Sequence, residues 1–198
     1  MISHWNVGIF LFNEVEVLDF AGPFEVFSVT ATSEGQLFTV RTVSQDGEMV
    51  TARNGLKVQP DYSIENLPPV DILIIPGGLG VRENEMKNEI ITNWIREQMK
   101  EVKLMTSVCT GALLLAKAGL LDGFKATTHW ASIESFRNDF PNVEVLENVK
   151  FVDEGHIITS GGISAGIDMS FHIVRNLLGA RVAEETAKMM EYDIDLQY

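Results

Sequence analysis

Residues 103–117, KLMTSVCTGALLLAK, hold the stretch around which the chain turns. An apolar run ends at Cys109, the one cysteine in the sequence; Thr110, Gly111 and Ala112 follow, and apolar residues then recur at helical spacing. This pattern predicts a strand, a sharp turn and a helix, with a thiol at the corner. Unpaired backbone N–H groups and the helix dipole at such a corner favour an anion. A thiol placed there is expected to have a lowered pKa and more thiolate at neutral pH. Cys109 is therefore read as a catalytic nucleophile. The alternative for a lone cysteine is a small buried hydrophobe. Against it stand Gly111 and Ala112, whose lack of bulk lets the helix approach the sheet and leaves space around the sulfur.

Outward from the corner, residues 7–12 (VGIFLF) and 70–75 (VDILII) are continuous apolar runs, as expected of strands buried on both faces of a parallel sheet. Residues 37–43 alternate and predict a further strand. Residues 13–18 read as a loop, after which Asp19 opens a helix with Pro23 near its first turn. Asn54-Gly55 at the centre of residues 49–59 predicts a hairpin outside the main sheet. Helical periodicity covers residues 83–100. Residues 126–129 read as a short strand or strand end, with a helix through Ile133 and Phe136 after it. Residues 143–146 and 151–159 read as strands, the latter pair turning at 153–155. Helices are expected from about 165 to 178 and from 181 to 190. Strands alternating with helices predict a doubly wound α/β domain: a mostly parallel sheet flanked by helices, with a small β-hairpin excursion. No repeat or linker divides it, so residues 1–198 read as a single domain.

A formal net charge of −13 argues against a nucleic-acid-binding surface and against docking on anionic membranes. One cysteine excludes an intrachain disulfide and suits a reducing interior. The first six residues carry no basic n-region, and residues 7–12 are too short for a signal core or a membrane span. Four histidines show no HxH or HExxH spacing, so no metal site is expected. The composition reads as a cytoplasmic globular protein.

Ligands of such folds bind beyond the carboxyl ends of the strands. Asp19, Gly77, Gly78, Cys109, Thr110 and His129 all fall at or just after predicted strand ends. Asp19 can cap its helix, or its carboxyl can face the thiol as a general acid/base. Gly77 and Gly78 can form a tight turn, or with the Thr110 N–H can supply donors for developing negative charge. Thr110 can cap its helix while lending a hydroxyl to the site. His129 is a further candidate, with a hydrogen-bonded structural role as its alternative. Residues 161–168 (GGISAGID) read as a turn and helix start, with Asp168 suited to the dipole and glycines that permit close approach of a ligand. Phe20, residues 79–82 and Trp130 stand where they would shape a pocket.

At these segments the chain resembles the ThiJ/PfpI superfamily, through Pro76-Gly77-Gly78, residues 107–112 (SVCTGA), residues 126–130 (ATTHW) and residues 161–168. The likeness runs from Val7 to about Tyr192. Within the superfamily it is to isonitrile hydratases and to the amidase-like domain of AraC-type regulators, carried by residues 18–23 (LDFAGP) with residues 108–111 (VCTG). The resemblance implies a flavodoxin-like, class I glutamine amidotransferase-like fold. It implies hydration of an isonitrile to an N-substituted formamide, through a thioimidate on Cys109, with Asp19 moving protons. Thr110 and the backbone of Gly77 and Gly78 would orient substrate or water. No metal or organic cofactor is needed, the partner is a small-molecule substrate, and family members form dimers, so a homodimer is implied. Thr110 replaces the histidine that follows the cysteine in the superfamily's proteases, which argues against a protease. Asp19 stands where the glyoxalase and peroxide-sensing members carry glutamate. Two rivals remain: a glyoxalase or deglycase on 2-oxoaldehydes, and a non-catalytic small-molecule sensor. The regulators append a helix-turn-helix domain, and the few residues here after the last predicted helix, with the acidic charge, argue against freestanding DNA binding.

Overall fold

The computed structural model describes residues 4–194, so the outermost ends of the expected 1–198 unit lie outside the described residues. β1 (Trp5–Phe10) leads into α1 (Val17–Val29), a ribbon of β2 (Ala31–Thr32) and β3 (Gly35–Gln36), and β4 (Phe38–Ser44). The hairpin β5 (Val50–Thr51) and β6 (Lys57–Val58) and the short β7 (Tyr62–Ser63) follow. Next come β8 (Ile72–Ile75), α2 (Leu79–Glu83), α3 (Glu89–Glu101), β9 (Leu104–Val108) and α4 (Gly111–Lys117). The chain closes with β10 (Lys125–Ala126), α5 (Ile133–Asp139), β11 (Glu144–Val145), β12 (Phe151–Asp153), β13 (Ile157–Ser160), α6 (Ala165–Leu178) and α7 (Ala180–Met189).

Seven strands form one sheet in the order β12-β13-β9-β8-β1-β4-β7, parallel throughout except for β12. All four side chains of β8 are fully buried, and burial of each contributes roughly 1.5–3 kcal/mol. Apolar runs without alternation thus reflect cover on both faces: α1, α6 and α7 pack together as one layer, α2, α3 and α4 as another. From β1 the chain builds outward to β4 on one side and to β8, β9 and β13 on the other. The strand order therefore reverses between β1 and β8, the switch point at which such sheets open a crevice. Register carries the crevice across to the thiol. Ile75 pairs with Ser107, and Val108 with Ser160, so Gly77, Cys109 and Gly161 leave the sheet at the same end.

The hairpin forms as expected, its turn carried by Asn54 (φ 63°) and Gly55 (φ 91°). Three local expectations are corrected. The helix expected from Asp19 begins two residues earlier, at Val17, which makes Asp19 a first-turn residue and places Pro23 inside the helix. Asp19 is no N-cap: Glu16 holds that position without a side-chain bond, and its own N–H donates to the Gly77 carbonyl at 2.9 Å. The helical run 83–100 is broken, since α2 ends at Glu83 and α3 starts only at Glu89, with a 3-10 turn between. Asn84 and Asn88, residues that compete with helical hydrogen bonds, flank the break. Residues 126–129 do not join the main sheet. β12 already occupies the edge beside β13, and β10 pairs with β11 in a separate two-stranded ribbon.

Candidate active site

Cys109 sits between β9 and α4 in the left-handed region, with φ 57°. A side chain there is strained, and the kink lifts the sulfur out of the line of the strand. Three hydrogen bonds hold the corner: the Cys109 N–H donates to the Ser160 and Gly161 carbonyls at 3.1 and 3.2 Å, and the Thr128 hydroxyl donates to the Cys109 carbonyl at 2.8 Å. Gly111 lets α4 begin against the end of β8, because a Cβ there would collide with the Ile75 carbonyl oxygen.

Asp19 is fully buried, reached from the switch point by the first turn of α1. The Gly77 N–H donates to its Oδ2 at 3.0 Å. Its Oδ1 is buried without a conventional hydrogen bond among the described residues, and the Cys109 thiol interacts with the same carboxyl. Burial raises the Asp19 pKa to about 7; the Gly77 N–H pulls it down, the Glu16 charge pushes it up again, and the thiol lowers it. Burial, followed by the charge of Asp19, pushes the Cys109 thiol well above its ordinary value, with the Thr110 N–H and hydroxyl offsetting part of this. The expectation of a dipole-lowered thiol pKa is thereby overturned. Cys109 precedes the Thr110 N-cap of a helix only seven residues long, and the dipole there is weak against loss of water and a carboxylate beside the sulfur.

The two glycine amides are also committed. The Gly77 N–H holds Asp19, and the Gly78 N–H donates to Thr110 Oγ1 at 3.0 Å, while that hydroxyl stands 3.3 Å from the Gly78 carbonyl. Both amides thus fix side chains in this structure, and of the two roles open to them the supply of free donors for developing negative charge is not the one they fill here. Gly77 has no room for a side chain, since its Cβ would lie 2.5 Å from the Thr110 nitrogen and 2.9 Å from Asp19 Oδ2.

A cleft of about 700 Å³ opens over the sulfur, with Cys109, Thr110, Gly78 and His129 among its lining residues. His129 joins the site through Gly162: a Cβ on that glycine would stand 2.5 Å from His129 Cδ2 and 2.9 Å from Cys109 Sγ. His129 Nδ1 accepts from the Ala131 N–H at 3.3 Å, so a neutral ring carries its proton on Nε2. Asp19 lies behind the sulfur and does not line the cleft. Leu79 and Arg82 line it as expected, whereas Phe20 is a core residue and Trp130 faces a neighbouring cavity of about 550 Å³ that also holds Asp168. Among the described residues no group of three His, Cys, Asp or Glu side chains could hold a metal ion. The sequence reading missed Glu16, Arg53, Glu83, Ser132 and Ile163 in the cleft wall. It also missed Gly162 at the sulfur. Only the glycine density of residues 161–168 hinted at the last.

The DJ-1/PfpI family model matches residues 6–176. The chain belongs to that family. An isonitrile hydratase of Pseudomonas putida is 35% identical over 188 residues, 94% of this chain and 78% of that protein. The HTH-type transcriptional regulator GbdR of Pseudomonas aeruginosa is 28% identical over 189 residues, 95% of this chain but 51% of the regulator. Among solved structures, a ThiJ/PfpI family protein from Pseudomonas syringae superposes with a TM-score of 0.87 at 26% identity, covering 100% of this chain and 78% of that one. Drosophila melanogaster DJ-1beta, at a TM-score of 0.83 and 21% identity over 96% of this chain and 100% of its own, shares the fold. This DJ-1/PfpI family includes enzymes and regulators alike, and no helix among the described residues of this member is long and apolar enough to cross a membrane.

Proposed function

We propose that the chain is a cysteine-dependent isonitrile hydratase, a hydro-lyase converting R–N≡C and water to the N-substituted formamide. The observation that carries this reading is the placement of a buried carboxyl, poised near neutral pH, against a thiol at the floor of an open cleft. Such a pair suits a neutral electrophile that must gain a nucleophile and a proton at one carbon.

In the first step the Cys109 S–H bond breaks as the sulfur bonds the terminal carbon, and Asp19 takes the thiol proton. Delivery of that proton to the carbon gives the thioimidate Cys109–S–CH=N–R. Water then bonds the same carbon, the C–S bond breaks, and a water proton returns to sulfur by way of Asp19. The released HO–CH=N–R moves its proton to nitrogen and leaves as the formamide. Thr110, locked to Gly78, holds its backbone N–H toward the sulfur, and the His129 Nε2–H is a side-chain donor beside the sulfur for substrate nitrogen or water. The rim of the cleft, not Asp19, meets the substituent R.

The likeness to isonitrile hydratase over 94% of the chain supports the substrate class. The match of regulators over 95% of the chain favours a second reading, a ligand-sensing domain. We take the protein to be a cytoplasmic homodimer acting on a small molecule and not on nucleic acid; the net charge of −13 supports the last point alone. The test is turnover of cyclohexyl isocyanide, with methylglyoxal as the competing substrate. Cys109→Ala is expected to lower isonitrile hydration by at least about 10³-fold. Undiminished hydration by that variant would reject the covalent route, and turnover of methylglyoxal alone would replace it with the glyoxalase reading. Saturable isonitrile binding without turnover would favour the sensor.

A further inference from the structure

The hairpin β5–β6 adds nothing to the main sheet, yet it is fastened firmly to the loop before α1. The Glu14 N–H donates to the Thr51 carbonyl at 2.8 Å, the Arg53 N–H to the Val15 carbonyl at 2.9 Å, and the Thr51 N–H to Asn13 Oδ1 at 2.9 Å. Ala52 is fully buried beneath it. The two left-handed turn residues Asn54 and Gly55 then fix where the chain doubles back. The result of this anchoring is to set Arg53 in the wall of the cleft that holds Cys109. A second guanidinium, that of Arg82, reaches the same cleft from α2.

Neither arginine has its donors used up. Arg53 meets Glu16 at 3.7 Å, beyond hydrogen-bond range, and its side chain makes no hydrogen bond among the described residues. Arg82 donates to Ser135 Oγ at 2.6 Å and to Asp139 Oδ2 at 3.4 Å, which leaves other N–H groups of its five-donor fork unspent. A guanidinium fork matches a carboxylate in shape and charge better than any other anion receptor a side chain offers. In a chain of net charge −13, two arginines offset the two glutamates that line the same cleft, which leaves its lining neutral in an acidic molecule. Leu79 and Ile163 supply apolar lining to the same cleft.

We infer that Arg53 and Arg82 select substrates carrying a carboxylate, so that the preferred substrate is a short isocyano carboxylate and the product an N-formyl amino acid. The inference rests on the hydratase reading for the reacting end and on the rim alone for the charged end. The isocyano carbon meets Cys109, a short stem lies along Leu79 and Ile163, and the carboxylate reaches the guanidinium groups. Glu16 and Glu83 also line the cleft; Glu16 serves as counter-ion to Arg53, and Glu83 makes a cationic substrate the informative competitor.

The experiment compares isocyanoacetate, its methyl ester and 2-aminoethyl isocyanide on the wild type, Arg53→Gln, Arg53→Lys and Arg82→Gln. The wild type is expected to prefer the carboxylate over the ester by at least about tenfold in kcat/KM, as one charge-assisted pair provides. Each Gln variant should reduce that preference about tenfold through KM, with Arg53→Lys restoring part of it. A wild type that prefers the ester or the amine, or variants that change all three substrates equally, would overturn the inference while leaving hydration intact. Calorimetric binding of N-formylglycine against N-formylglycinamide reads the rim without turnover. If no isonitrile is hydrated but N-formylglycine still binds preferentially and loses that preference in Arg53→Gln, the hydratase reading fails and the carboxylate subsite stands. Equal binding of the two amides in the wild type would remove the subsite itself.

Discussion

α1 and α6 both begin beside the carboxyl ends of the central strands, and both carry an aspartate in the first turn. Asp168 on α6 is matched by Lys150 at 2.9 Å, a pair open to water on the lysine side. Asp19 on α1 has the Gly77 N–H, a thiol, and no cation among the described residues. Both sit in a first turn; their company differs. A first-turn carboxylate answered by a lysine is a structural ion pair, whereas one sealed against a thiol stores a proton near neutral pH. The difference teaches that the helix dipole, common to both, decides little about chemistry, and that burial without a counter-charge decides much.

Removing the Asp19 charge tests this contrast most strongly. The folded-state pKa of about 7 stands above the ordinary value of 3.8, so between these values the folded protein holds a proton that the unfolded chain has released. The stability that this group contributes is complete below about pH 4 and is lost as pH rises through 7. Asp19→Asn keeps an acceptor for the Gly77 N–H and removes the titration. Its stability relative to wild type, read from urea midpoints, should rise from pH 4 to pH 8 by up to about 4 kcal/mol. A difference that does not change with pH would refute the sealed carboxyl. The same variant is expected to lose about a hundredfold or more in isonitrile turnover at pH 7, while iodoacetamide still labels Cys109 in it.

A gentler probe acts at the wall between the two aspartates' surroundings. Gly162→Ala places a methyl group 2.5 Å from His129 Cδ2 and 2.9 Å from the sulfur, so the ring or the thiol must move. Turnover should fall about tenfold with little change in substrate binding, since misplacement of reacting groups acts on kcat. Unchanged kcat would show that His129 and Cys109 need no common wall. At the small end, Asp168→Asn removes a half-exposed ion pair and should cost about 0.5–1 kcal/mol in thermal or urea unfolding, with activity kept. A large activity loss in that variant would make the two helix starts alike after all.

Much of this was legible beforehand. Residues 70–75 announce a doubly buried strand, Asn54-Gly55 announces its hairpin, and the passage from Val108 to Ala112 announces the corner. These signals are local, and local chemistry produces them. What was not legible depends on neighbours distant in sequence. That 126–129 would find the edge of β13 already taken by β12 follows from pairing, not from its own residues. The direction of the thiol's pKa depended on Asp19, 90 positions away, and on how completely the site excludes water. The Gly77 and Gly78 amides resemble free donors on paper, and only the fold shows that Asp19 and Thr110 consume them. Arg53 stood beside a recognised turn, but nothing in a hairpin's pattern tells which cavity its flank will reach.

The left-handed backbone at Cys109 has a further meaning for anyone who replaces the residue. For an L-residue that conformation costs about 1–2 kcal/mol, which glycine does not incur. The thiol is thus carried at a standing loss to the fold, and Cys109→Gly and Cys109→Ala, equally dead as nucleophiles, are not equivalent controls. The glycine variant should unfold at the higher temperature, so that of two equally inert knock-outs it is the sturdier protein to crystallise with an intact substrate.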